Sequence, residues 1–172
     1  MHKEPTTVEK LRGLPWSYAC NSANTVFTQF TYFGSAFILF LDLLGLSKSD
    51  IGFVLSLIPF SNLLALFLAP VTARVGYKRA FVLFFGLRKI VTIPLLLTPW
   101  VVATFGARMA FFFVAGVVGL FAAFRTVEET AYYPWYQEFV PNAVRGKYSA
   151  TSNIATALVG VISVFVAGYV VE

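Results

Sequence analysis

Five long apolar runs, separated by short segments that carry most of the charge, constrain this chain more than any other feature of its sequence. An α-helix needs about 20 apolar residues to cross a hydrocarbon core roughly 30 Å thick. Of the 172 residues, 58% are hydrophobic and only 12% are charged, whereas an average soluble domain is roughly 25% charged. The sequence therefore predicts an all-α integral membrane protein in a lipid bilayer, with spans at about 16–44, 51–71, 80–102, 107–133 and 148–171.

Backbone polar groups find no hydrogen-bonding partner in lipid, so continuous apolar runs favour helices over the alternating strands of a barrel.

The ends of the chain lie outside these runs. Residues 1–15 form a charged tail without the apolar core and cleavage site of a signal peptide. Because Glu172 follows the fifth run directly, with an odd number of spans and no tail, we expect a truncated chain.

The basic residues near the span ends predict the orientation. If the N-terminus is cytoplasmic, eight lysines and arginines lie inside and only Lys48 and Arg108 lie outside. Cytoplasmic segments carry such an excess, so we expect an inner or plasma membrane protein with a cytoplasmic residue 1–15 tail. The same asymmetry accounts for the net charge of +5 without nucleic acid, whose binding needs a basic face on a folded soluble surface.

The segment between the second and third runs, APVTARVGYKRA (residues 69–80), combines a glycine with clustered basic residues. This pattern is typical of a tight cytoplasmic turn. It also resembles the loop motif of the major facilitator superfamily, Gly-x-x-x-Asp-Arg-x-Gly-Arg-Lys/Arg-Lys/Arg. Ala73 stands where that motif has its aspartate, while the matching residues are Arg74, Gly76, Lys78 and Arg79.

A second stretch, PWYQEFVPNAVRGKYSA (residues 134–150), is similar to the loop between helices 4 and 5 of the same superfamily. The matching residues are Pro141, Arg145, Gly146 and Lys147. Because each of the two loops lies between the corresponding pair of helices, the resemblance covers nearly the whole chain. It implies the N-terminal half of a secondary active transporter, truncated after helix 5, with helices 6–12 missing.

The resemblance implies alternating-access transport of a small solute bound between the two halves, with helices 1 and 4 of this half lining the cavity. Ala73 departs from the motif at the position of a charge latch in relatives. The fifth run also lacks the Gly-Pro-centred motif of proton-coupled drug exporters, which makes that alternative less favoured. A non-transporting sensor or scaffold on the same fold is the other alternative.

A polar stripe marks the first run. Its members recur at three-, four- and seven-residue spacing, which places them on one helical face. Polar side chains are costly against lipid, so this face should meet water, a solute or another helix. We interpret the stripe as solute-binding, although interhelical hydrogen bonds, worth roughly 0.6 to 2 kcal/mol each, are the alternative; the candidates are Asn21, Asn24, Thr25, Thr28 and Tyr32.

Charged residues near the end of the fourth run form a second candidate site. Arg125, Glu128 and Glu129 lie at three- and four-residue spacing, so they share one side of a helix. Should that helix project into the cytoplasm, these charges belong to the inner half of the cavity and bind solute. The alternative is an ion pair at the level of the lipid headgroups.

Arg88 and Lys89 lie side by side within the third run. An unpaired charge at that depth costs at least about 2.5 kcal/mol, and adjacent helical residues point about 100° apart. One side chain can reach the headgroups by snorkelling, whereas the other needs a partner, for which Glu128 and Glu129 are the candidates. The sequence thus predicts a buried charge pairing that involves Arg88 or Lys89.

These five deep charges sum to +1, which favours a small polar or anionic solute over a cation. Burial of a carboxylate favours its protonated form, so either glutamate is also a candidate carrier of a coupling proton. Enzymatic function is not expected, because the chain shows no nucleophile motif and His2 is its only histidine. With a single cysteine, Cys20, we expect neither a metal site nor a cofactor.

Overall fold

The computed structural model describes residues 6–32 and 34–171, and within these ranges the chain is helical without a strand. Short 3₁₀ turns occur at Asn62–Leu64, Ile93–Leu97 and Asn142–Val144. The α-helices are α1 (Thr7–Phe30), α2 (Ser35–Leu43), α3 (Lys48–Ser61), α4 (Ala65–Val75), α5 (Tyr77–Thr92), α6 (Thr98–Phe139) and α7 (Arg145–Val171).

Four helical stretches in the described part of the chain are long and apolar enough to cross a membrane. Many of their large apolar side chains are exposed; on α7, Leu158, Val161 and Phe165 are 61%, 70% and 79% exposed. Contact of such side chains with lipid tails has no free-energy cost, whereas their contact with water is unfavourable. The helices therefore have the length, composition and apolar surface of membrane-spanning segments; the stretches are Thr7–Leu43, Lys48–Val75, Tyr77–Phe139 and Asn142–Tyr169.

The third stretch folds back on itself at Gly106, whose φ of 80° and ψ of 170° interrupt α6. Arg88 and Glu128 are 40 residues apart, which is about 60 Å along a straight helix, yet their side chains meet at 2.6 Å. Phe81 likewise contacts Trp135 at 4.8 Å between ring centroids. Arg88 follows Phe81 by seven residues on α5, whereas its partner Glu128 precedes Trp135 by seven residues on α6. The two segments therefore pack antiparallel. The break lies in the short interval that the sequence leaves between its third and fourth runs.

The turn between α4 and α5 consists of Gly76 alone. This glycine is the C-cap of α4 and the N-cap of α5, with φ 96° and ψ 126°. A positive φ is strained for any residue with a Cβ, so glycine is the residue that permits so tight a turn. The basic residues around it are therefore helical: Arg74 lies in the last turn of α4, and Lys78 and Arg79 lie in the first turn of α5.

The first run differs from the single helix expected over residues 16–44. Helix α1 begins earlier, at Thr7, where Thr6 and Glu9 form a capping box, so the described part of the residue 1–15 tail is largely helical. It ends at Phe30, and α2 begins only at Ser35. Gly34 accounts for part of this break, because a Cβ there would overlap the carbonyl oxygen of Gln29.

The chain divides into two compact units. The first combines the N-terminal segment through Leu39 with the segment from Tyr136 onward. In this unit α1 packs along α7. Ser17 Oγ lies 2.5 Å from the Tyr148 hydroxyl, and Asn21 Nδ2 donates to Ser152 Oγ at 3.3 Å. Residue numbers rise together on both helices, so α1 and α7 run parallel.

The second unit, Phe40–Trp135, contains α3, α4, α5 and most of α6. Phe53 packs against Phe111 at 5.8 Å between ring centroids, and eight residues later along α3 the Ser61 hydroxyl meets that of Thr126 at 3.0 Å. The α3 helix therefore runs parallel to the segment of α6 beyond Gly106. Both helices contribute buried apolar side chains, among them Val54 and Ile58 of α3 and Val114, Val118 and Phe121 of α6.

Candidate functional site

An enclosed ion pair joins α5 to α6. Arg88 Nη1 lies 2.6 Å from Glu128 Oε2, and the two side chains are only 5% and 8% exposed. The sequence left four combinations open, and the structure contains this one. Arg88 is 11 residues beyond Tyr77 and Glu128 is 11 residues before Phe139, so each lies about 17 Å from its helix end. The apolar setting makes each charge dependent on the other.

A second ion pair lies on α6 itself. Arg125 Nη2 contacts Glu129 Oε1 at 2.6 Å, and these side chains are 20% and 41% exposed. Consecutive helical residues point about 100° apart, so Glu129 does not share the direction in which Glu128 reaches α5. The three charged residues of α6 thus separate into an enclosed partner of Arg88 and a more open pair.

Lys89 is half-buried, and its ammonium lies 5.1 Å from the centroid of the Phe85 ring. The Arg88 guanidinium carbon lies 4.8 Å from the same centroid. Cation–π contacts of this kind contribute about 0.5–2 kcal/mol, and more when the cation is desolvated. The adjacent cations therefore share one aromatic ring, while Arg88 additionally takes the carboxylate.

Buried hydroxyls join α3 to α6, and the sequence interpretation missed them. Ser61 Oγ contacts Thr126 Oγ1 at 3.0 Å and donates to the Ala122 carbonyl at 3.2 Å. Both hydroxyl residues are buried. These hydrogen bonds fasten α3 to α6 at Ala122 and Thr126, six and two residues before Glu128.

The polar stripe of α1 belongs to the first unit. Asn21 donates to Ser152 Oγ of α7 at 3.3 Å, and Thr25 Cγ2 is 3.6 Å from where a Cβ on Gly160 would lie. Thr25 and Thr28 also donate to carbonyls within α1, at 3.0 and 2.9 Å. Asn21 and Thr25 therefore face the α1–α7 interface, as the hydrogen-bonding alternative requires.

The other two stripe residues differ in exposure. Asn24 is half-buried. Tyr32 is 2% exposed, and its ring packs edge-on against Phe37 at 5.3 Å between centroids. Enclosure of this kind gives Tyr32 a packing role in the structure.

A tyrosine cluster in the first unit also escaped the sequence interpretation. Tyr148 stacks on Tyr18 with 4.8 Å between centroids and packs at 5.7 Å from Tyr136. The Tyr136 hydroxyl contacts Ser149 Oγ at 2.6 Å. A signal was present, because the small and polar residues of α7 recur at three- and four-residue spacing and so form a face complementary to the stripe: Ser149, Ser152, Thr156 and Gly160.

The second loop motif has a structural role at the end of α6. Arg145 Nη2 donates to the carbonyls of Gln137 and Val140 at 2.9 and 3.3 Å, and Lys10 Nζ donates to that of Glu138 at 2.8 Å. The last carbonyls of a helix have no partner within the helix, and cations there also complement its dipole. Gly146 is exposed near the start of α7, and the basic residues of the first motif are exposed as well: Arg74, Lys78 and Arg79.

Comparison of the chain with family models, curated proteins and solved structures finds no match. Among the described residues, no group of three His, Cys, Asp or Glu side chains is placed to hold a metal ion. The molecule is thus defined by its own features as an all-helical protein whose apolar helices are compatible with a membrane bundle.

Proposed function

We propose that this chain is the N-terminal part of a secondary active transporter of the major facilitator type, which moves a small polar or anionic solute by alternating access. The proposal rests on the resemblance of the two loop motifs and on ionisable side chains within apolar helices. Such residues are costly in a bilayer and generally mark a solute or ion pathway. The resemblance implies a further half, helices 6–12, that faces this one.

The observation that carries the proposal is the partly exposed Arg125–Glu129 pair within a membrane-length helix. Glu129 is 41% exposed, although the neighbouring Glu128 is almost enclosed. An ion pair that exchanged both its hydration shells for lipid would be strongly unfavourable. We therefore assign the exposed side of this pair to a water-filled cavity, where Arg125 is the cation that contacts an anionic group of the solute.

In this proposal Arg88 and Glu128 have a different task. Their pair joins α5 to α6 and fixes the rotation of α6, so that Arg125 and Glu129 face the cavity. Both glutamates stay candidates for a coupling proton; Glu128 is almost enclosed and Glu129 is partly exposed. Within the first unit, Asn24 and Thr28 are half-buried, and only the resemblance supports them as solute contacts.

A non-transporting sensor or scaffold is the second candidate function. The hydrogen bond from Asn21 to Ser152 favours it, because the stripe then serves helix packing and no solute is required. A proton-coupled drug exporter is a third possibility, with Glu128 or Glu129 as the proton carrier and an apolar solute in place of an anion.

Anion binding to the purified chain in lipid nanodiscs tests the proposal. The probes are radiolabelled inorganic phosphate and succinate, and the variants are Arg125→Gln and, as control, Lys48→Gln, which removes an exposed cation at a helix start. We expect saturable binding of at least one probe, at least tenfold weaker in Arg125→Gln and unchanged in the control. Binding that does not depend on Arg125, or no binding, would contradict the proposal. Accumulation inside vesicles against a gradient, measured with the facing half present, distinguishes a carrier from a sensor.

A further inference from the structure

A cavity of about 300 Å³ lies within the second unit, where α3 begins and where α6 resumes after Gly106. Its volume is at the lower end of the range of about 300–1,000 Å³ that is usual for small-molecule sites. It is separate from the ion pairs of α5 and α6. The lining residues are Gly45, Leu46, Asp50, Ala107, Arg108, Phe111 and Phe112.

The cavity presents one charge of each sign. Both bonds that Asp50 accepts from Ser47, from its backbone N–H at 3.3 Å and from its hydroxyl at 2.6 Å, use Oδ2. Oδ1 can therefore accept a further donor. Arg108 is exposed, and in the described part of the chain it has no ion-pair partner within 4.0 Å.

Aromatic rings form another part of the lining. Phe111 and Phe112 lie 5.2 Å apart between centroids, with their planes at 64°. The face of a phenyl ring attracts cations, including substituted ammonium groups. An ammonium group can thus lie against a ring while its N–H groups donate to Asp50, and a guanidinium binds phosphate or carboxylate through two parallel hydrogen bonds.

We propose that this cavity binds the headgroup of a zwitterion that carries a primary ammonium and a phosphate, such as phosphoethanolamine. Asp50 Oδ1 accepts from the ammonium, a phenylalanine ring covers it, and Arg108 donates to the phosphate. The headgroup can belong to a phospholipid or to a free solute, because the two share this chemistry. The site is independent of Arg125 and therefore of the proposed transport function.

Binding to the purified 172-residue chain in detergent micelles tests the inference, with phosphatidylethanolamine and free phosphoethanolamine as probes and phosphatidylglycerol as the comparison lacking an amine. We expect the ethanolamine compound to bind at least tenfold more tightly than phosphatidylglycerol. Asp50→Asn, which keeps an oxygen for the cap of α3, and Arg108→Gln should each weaken that binding at least tenfold.

Two controls make the result specific. Lys48→Gln removes a cation at the start of α3 that does not line the cavity, and Lys78→Gln removes an exposed cation at the start of α5. Both should bind as the unmodified chain does. Binding of the lipid alone assigns the site to bilayer lipid, and binding of the free compound assigns it to a soluble zwitterion. Equal binding of phosphatidylglycerol, no binding of either probe, or equal weakening by Lys48→Gln would overturn the inference.

Discussion

The guanidinium of Arg88 and the carboxylate of Glu128 are each enclosed by apolar helices. If either group were removed, little solvent could reach its partner. The 2.6 Å contact between them is made with 5% and 8% of the side chains exposed. Removing one partner of such a pair leaves an uncompensated charge, which costs about 3–5 kcal/mol. Removing both leaves two neutral polar side chains and costs less.

We predict that Arg88→Gln and Glu128→Gln each lower the free energy of unfolding by about 3–5 kcal/mol, and that the double substitution lowers it by less than either one. The measurement is denaturant unfolding in micelles, analysed as a double-mutant cycle. Lys89→Gln combined with Glu128→Gln is the matched control and should show little coupling. Zero coupling between Arg88 and Glu128 would mean that the pair does not stabilise the protein.

The need for a partner to Arg88 or Lys89 was predictable from sequence, because the cost of a buried charge does not depend on the fold. The choice of Glu128 over Glu129 was not. Adjacent residues on a helix point about 100° apart, so only one of the two glutamates can face α5. Which one does so depends on how the two helices pack, and the sequence does not contain that information locally. For the same reason Asn21 could be placed on a polar face, but Ser152 could not be identified as the residue it meets.

At the scale of elements, glycine determines where helices reverse. Gly106 has φ 80° and ψ 170° within α6, a region of backbone conformation that is essentially restricted to glycine. A Cβ there would have no neighbour within 4 Å, so the strain of a substitution comes from the backbone and not from crowding.

Gly106→Ala should lower the free energy of unfolding by about 1–3 kcal/mol because of this backbone strain. Gly116→Ala is the matched control: Gly116 lies in α6 with open space around an added Cβ, and alanine is favoured over glycine inside a helix by about 1 kcal/mol. Thermal unfolding of the two variants in the same detergent provides the comparison. If Gly106→Ala were as stable as Gly116→Ala, residue 106 would not have the positive φ that reverses the chain.

Hydrophobic runs indicated the positions of the helices well, since burial in lipid acts on any long apolar segment. The internal breaks were less accessible. The interruption between Phe30 and Ser35 lies inside an apolar run, and it depends on the close approach of Gly34 to the Gln29 carbonyl. The early start of α1 at Thr7 had a local signal, because Thr6 and Glu9 have the spacing of a capping box.

At the scale of the whole molecule, orientation in the membrane follows from charge. Arg74, Lys78 and Arg79 are exposed around the Gly76 turn, and an excess of cations on one side is retained in the cytoplasm. We predict that reporter domains fused after Lys78 and after Arg145 both lie in the cytoplasm. Activity of either reporter on the external side would contradict the proposed orientation.

Water beside the Arg125–Glu129 pair is central to the proposed transport function, because a solute pathway must be wet where a packing interface is not. Cys20 is the only cysteine, so Cys20→Ser provides a background for single cysteines on α6. We would place one at Glu129, which is 41% exposed beside Arg125, and a control at Leu120, an apolar residue that is 48% exposed and that we expect to face lipid.

The most direct measurement is the rate at which charged, membrane-impermeant methanethiosulfonate reagents modify these two cysteines in liposomes. The proposed function predicts that Glu129→Cys reacts at least tenfold faster than Leu120→Cys. It also predicts that the anionic reagent reacts faster than the cationic one at position 129, because Arg125 attracts anions there. Equal rates at the two positions, with both cysteines still reactive toward a lipid-permeant maleimide, would show that no water-filled path reaches the ion pair and would contradict the proposed function.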